Sequence, residues 1–162
     1  MMNVIKICAA SFLLLALAGP ALCAPAALPT SPEEALARER TARELNVELN
    51  RLGSSGDPVE REAVLRRIVE QCAGVEEAEA AHWSLTDLYL DAFSEPREED
   101  ARDVLERFLK QYPNSRWTTQ AKCRLLALCD AKGDRAAQLR RELSGDDALP
   151  QALRAAIRGS SR

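Results

Sequence analysis

Laid on itself so that Arg61–Leu90 falls on Ala101–Asp130, the chain repeats its apolar positions without a gap. Val64 meets Val104, Leu65 meets Leu105, Ala81 meets Ala121, Leu85 meets Leu125 and Leu88 meets Leu128. Ile68 and Val69 fall on Phe108 and Leu109, while Arg67 and Gln71 meet Arg107 and Gln111. A shortened third copy follows, in which Ala101, Val104 and Phe108 fall on Ala136, Leu139 and Leu143. Spacings of three and four put these positions on one side of a helix. Matched apolar positions imply matched buried faces, so the unit is a helix pair that completes its core against its neighbours.

Local signals divide the chain accordingly. Ser31-Pro32-Glu33-Glu34 supplies an N-cap, a first-turn proline and acids for the dipole, and predicts a helix to about Leu52. Gly53–Gly56 stops it, and Asp57-Pro58 starts a second helix that ends by Gly74. Further helices are expected over Val75–Phe93, from Ser94–Pro96 to Tyr112, from Asn114 or Ser115 to Gly133, over Asp134–Leu143, and over Asp147–Arg158. Ala, Leu, Arg and Glu dominate and aromatics are only 4%, so no sheet is expected. The connections are short, which favours antiparallel packing of consecutive helices.

Ala81–Pro113 resembles a tetratricopeptide repeat, whose pattern is W-x2-L-G-x2-Y, then A-x3-F, then P. His82 stands at the Trp position, Leu85 at the Leu, Thr86 at the Gly and Tyr89 at the Tyr, with Ala101, Leu105 and Pro113 following in register. The run Phe108-Leu109-Lys110-Gln111-Tyr112-Pro113-Asn114-Ser115 is similar to the inter-hairpin joint of the periplasmic BamD and CpoB families. The resemblance covers residues 58–143. It implies an all-α fold of antiparallel helical hairpins stacked as a short solenoid. The helical domain is expected over residues 31–158, with residues 159–162 as a disordered tail. HEAT-type and other α-solenoid repeats share this repeat length and remain the alternative architecture.

The first residues read as a leader rather than as part of this fold. Lys6 precedes a largely apolar run, Ile7–Ala18, which Gly19-Pro20 breaks; Ala21 and Cys23 then occupy the positions a signal peptidase reads. Cleavage after Cys23 gives a signal peptide of residues 1–23 and a flexible lead-in of residues 24–30. Ala24-Pro25-Ala26 is a second candidate site. The apolar run is too short for a permanent membrane span. Pro20 and Leu22 are wrong for a lipidated Cys23, so the mature chain is expected free in the periplasm or secreted.

Removing Lys6 with the leader takes the net charge from −3 to −4, and the arginines are scattered, which argues against a nucleic-acid partner. Three cysteines remain: Cys72, Cys123 and Cys129. On one helix, Cys123 and Cys129 would lie about 9 Å apart, beyond the ~7 Å limit for a disulfide. Small buried apolar residues are the plain reading of all three; a thiol-dependent role for Cys72 or Cys129 is the alternative.

No phosphate loop, metal-ligand spacing or nucleophile motif is present, and the single histidine, His82, falls where the repeat family packs an aromatic. The chain therefore reads as a binding module without cofactor, not an enzyme. In the repeat family the first helix of each hairpin lines the concave groove. On the helix over 75–93, Ala81, Leu85, Leu88 and Ala92 form the core stripe, while Trp83, Asp87, Leu90 and Asp91 share another face. That face, with Gln120 and Asp130 one repeat later, is the expected site for a segment of another envelope protein, self-association being possible. Trp83 has an alternative reading, as packing against the next hairpin, and Trp117 reads as packing over the joint.

Mass spectrometry of the exported protein should find it beginning at Ala24. A diacylglyceryl mass on Cys23 would overturn both the cleavage site and the absence of an anchor.

Overall fold

The computed structural model describes residues 27–159, so the leader and residues 160–162 lie outside the described residues. Among the described residues there are seven helices and no strand. They are α1 (Pro32–Leu52), α2 (Pro58–Gln71), α3 (Glu76–Asp91), α4 (Glu98–Gln111), α5 (Thr118–Leu128), α6 (Asp134–Ser144) and α7 (Gln151–Gly159). Each packs on the next in sequence, and α1 also touches α3.

The first two helices begin where capping chemistry predicts. Ser31 Oγ accepts from the Glu34 N–H at 3.2 Å, and Asp57 accepts from the Val59 N–H at 3.0 Å, each ahead of a first-turn proline. Three later starts differ from expectation. Helix α4 begins at Glu98 rather than near Ser94, because the Arg97 N–H is committed to the Tyr89 carbonyl of α3 at 2.8 Å. Helix α5 begins at Thr118 because Ser115 is spent on a turn. Its carbonyl accepts from Thr118 N–H at 3.0 Å and its hydroxyl from Trp117 N–H at 3.2 Å. Helix α5 also ends early, at Leu128, since Cys129 is extended. Helix α7 begins at Gln151 rather than Asp147, because a turn precedes it in which Asp146 accepts from the Ala148 N–H at 2.9 Å and from the Leu149 N–H at 3.2 Å.

The sequence repeat appears directly in the structure: the bounds of α2, Pro58 and Gln71, fall on those of α4, Glu98 and Gln111, in the register that lays Arg61 on Ala101. Val64, Leu65, Ile68, Ala81 and Leu85 are buried, and so are Val104, Leu105, Phe108, Ala121 and Leu125. The third copy buries Ala136, Leu139 and Leu143. A first core joins α1 to α4 around Leu45, Ile68, Leu85 and Tyr89; a second gathers Leu105, Phe108, Tyr112, Leu125 and Leu139. A smaller one closes α7 through Leu143, Leu149 and Ile157.

The end of the expected flexible lead-in is held in place. Arg38 donates to the Ala27 carbonyl at 2.6 Å and to the Ala73 carbonyl at 2.7 Å, bridging residues 27–30 to the α2–α3 turn. Pro29 lies against Gly74, which has φ +92 and leaves no room for a Cβ. The Gly74 N–H donates to the Tyr112 hydroxyl at 3.1 Å, tying the same turn to the end of α4.

Leu85 and Leu125 are almost completely buried, at 1% and 0% exposure. Leu85→Ala and Leu125→Ala should each destabilise by about 2–5 kcal/mol in denaturant unfolding. A loss under about 0.5 kcal/mol at either position would contradict the packing described.

Candidate protein-binding face

Trp83 and Asp87, two of the four α3 residues singled out in the sequence, face Trp117, just before α5, and Arg124 of α5. The two helix backbones do not approach one another, so side chains alone bridge them. Four bridges occupy positions 76, 79, 83 and 87, spacings that keep them on one side of α3. Glu76 pairs with Arg116 at 3.2 Å, and Glu79 accepts from the Ser115 hydroxyl at 2.5 Å. The Trp83 and Trp117 ring centroids are 5.8 Å apart, and Asp87 pairs with Arg124.

Trp83 is half-buried. One edge meets Phe108 of the second core, with centroids 5.9 Å apart, and the Arg124 guanidinium lies 4.8 Å from its ring centroid. Its indole N–H is buried without an acceptor. Trp117 is exposed, and Arg116 sits 5.0 Å from its ring. The result is a ladder of Arg116, Trp117, Trp83 and Arg124, an arrangement favoured because a guanidinium is attracted to the negative face of an indole.

Asp87 and Asp91 come together. With Ser84 they line an open cleft of about 560 Å³ against the α1–α2 turn, whose side is formed by Ser54, Ser55 and Arg61. Leu90 does not join them; it is half-buried against the first core. Gln120 is exposed on α5 and does not line that cleft. Asp130 is not on a helix face at all, because α5 stops at Leu128. Its carboxylate instead accepts from the Lys132 N–H at 3.0 Å, making it a turn residue. Sequence reasoning missed Arg116 and Arg124. A signal existed: Glu76 and Arg116 are opposite charges that coincide when one copy of the repeat is laid on the next.

The remaining reactive side chains are turned inward. His82 is buried, with Nδ1 at 2.7 Å from the Ala78 carbonyl, so Nδ1 carries the proton. Its ring meets Phe108 and Tyr112 edge-on, each at 5.6 Å, and Nε2 has no partner. Among the described residues, Cys72, Cys123 and Cys129 are free. Burial pushes the Cys72 and Cys123 thiols up, opposite to what a thiolate nucleophile needs. Among the described residues, no His, Cys, Asp and Glu group is arranged to hold a metal ion, and no helix is long and apolar enough to cross a membrane. Compared with family models, curated proteins and solved structures, the chain finds no match in any of the three.

The buried imidazole makes stability pH-dependent. Burial, reinforced by the nearby Arg107, pushes His82 from its usual 6.5 down to about 4, with its Ala78 hydrogen bond opposing. The unfolded chain therefore takes up the proton first as pH falls. Stability is complete above pH 6.5 and is lost progressively toward pH 4. Between pH 7.5 and pH 5 the loss should be about 2 kcal/mol. Because His82 is the single histidine, His82→Phe should flatten this window in urea titrations. An unchanged slope in the variant would rule out His82 as its source.

Proposed function

We propose that this chain is an exported, tetratricopeptide-like interaction module of the bacterial cell envelope. In this reading α1–α2, α3–α4 and α5–α6 are antiparallel hairpins stacked in order, with α7 closing the array. The recurrence of buried positions from one hairpin to the next supports the stacking, and the leader-like residues 1–23 support export. The module holds a segment of another envelope protein on the inner face built by α3 and the start of α5.

One observation carries the binding assignment. Asp87 and Asp91, on adjacent turns of α3, open into a single cleft, and Asp87 also pairs with the Arg124 that stacks on Trp83. Aromatic rings next to a polar, open cleft provide the anchor and rim that a docked segment uses. Its wall carries two carboxylates, Asp87 and Asp91, against one guanidinium, Arg61, and this excess of negative charge favours a segment carrying positive charge, whose association weakens with added salt. The chemistry needs no cofactor.

A photoreactive residue at position 91 tests this in cells. It should capture one partner, while the same residue at position 70, exposed on α2, should not. Asp91→Lys, placed with the photoreactive residue at position 84 on the same cleft, should abolish the capture seen from position 84 alone, while helical content and melting stay unchanged. Equal capture from positions 91 and 70, or capture that survives Asp91→Lys, would exclude this face. Capture of a second copy would make the partner the chain itself.

A further inference from the structure

We infer that Trp83 and Asp87 form a site for a guanidinium group, that Arg124 fills it from within the chain, and that the partner segment presents an arginine which displaces Arg124. This rests on the reading of the α3 face as the binding face and adds the chemistry of the group it receives.

The geometry shows which group suits the site because the site is already holding one. Arg124 stacks 4.8 Å from the Trp83 centroid and pairs with the Asp87 carboxylate. A planar guanidinium satisfies both contacts at once, stacking through its face and donating through its edge; a lysine ammonium can only act as a point charge. The site keeps its shape when Arg124 leaves, because Trp83 is supported from behind by Phe108 and from the side by Trp117. Exchange requires no unfolding: the Arg124 and Asp87 side chains are 36% and 54% exposed. Helix α4 packs against both α3 and α5, so their separation does not depend on the Arg124 bond. Asp91, four residues further along α3, lines a cleft that Asp87 also lines, and makes no ion pair among the described residues. It is placed to receive the incoming charge while Arg124 is being displaced.

An internal occupant lowers affinity by the fraction of time it fills the site. If Arg124 is stacked about nine-tenths of the time, freeing the site should tighten binding of an arginine-bearing segment by about tenfold. The probe is a short Gly/Ser peptide with one central arginine, compared with the same peptide carrying lysine or the uncharged isostere citrulline. The chain has two tryptophans, so the indole N–H signals of Trp83 and Trp117 report binding by NMR even at millimolar affinity.

Arg124→Gln should give a saturable shift of the Trp83 indole with the arginine peptide at about one-tenth the concentration wild type requires. Citrulline should have no effect and lysine a weaker one. Adding Asp87→Asn to Arg124→Gln should remove the response. If Arg124→Gln unfolds, Arg124→Lys serves in its place and should give an intermediate gain. Equal affinity in wild type and a folded Arg124 variant would overturn the inference, as would an equal response to citrulline. In that event, partner capture from position 91 that persists would leave the binding face standing and remove only its guanidinium chemistry. Loss of capture from position 91 would remove the face itself.

Discussion

The placement of α3 between α2 and α4 is the constraint on which the other features depend. Its core stripe closes the first hydrophobic cluster, with Leu85 against residues of α2 and α4, leaving the opposite side of the helix for polar and aromatic positions. An ionic knot centred on one largely buried carboxylate supports this placement. The Glu62 side chain, 13% exposed, accepts from Tyr89 at 2.8 Å, Arg66 at 2.9 Å and Arg97 at 2.6 Å. Burial pushes the Glu62 carboxyl up, but these three donors outweigh it and hold the group below the usual carboxylate range. Arg97 also stacks on Tyr89 and Phe93, so one residue just before α4 links three helices. A buried charge with all its partners in place specifies geometry, because losing any one partner leaves an uncompensated ion.

What could be read from the sequence was set by local and periodic physics. The helices, their matched buried faces and the caps at Ser31 and Asp57 follow from apolar spacing and short-range hydrogen bonding. The errors fall where a long-range partner wins over a local preference. Ser94–Pro96 looks like a helix start, yet the Arg97 backbone bonds to Tyr89, and the helix begins after it. Ser115 looks like an N-cap, yet its hydroxyl donates to Glu79 on another helix. Residues 27–30 look like loose chain, yet Arg38, well beyond Ala27 in sequence, fastens them to the α2–α3 turn. None of these partners lies within a helical turn, so no window-based pattern contains them.

The candidate site was legible to the same degree. Asp87 and Asp91 are brought together because i and i+4 residues share a helix face whatever the tertiary structure. Leu90 and Asp130 were lost for different reasons. Leu90 lies at the border of the stripe, where a small rotation decides between cleft and core, and the core takes it. Asp130 depended on α5 continuing past Leu128, and the extended Cys129 ends that continuity. At position 129 the repeat replaces Tyr89, whose hydroxyl is part of the ionic knot, so the second copy lacks the contact that anchors the corresponding helix in the first.

Trp83 shows why joint and site need not be competing descriptions. Neighbouring helices whose backbones are in close contact exclude everything else from their interface. Helices α3 and α5 meet through side chains alone, and the Asp87–Arg124 tips that join them are partly in water. Ion pairs exposed to this degree contribute little to stability and exchange readily. The Trp83 ring is held firmly by the second core, while the charges around it are held loosely. A rigid aromatic surface bordered by exchangeable charges combines a fixed shape with ion pairs that can rearrange around it. The buried core therefore sets the position of the face, and the weakness of its surface pairs keeps that face open to exchange.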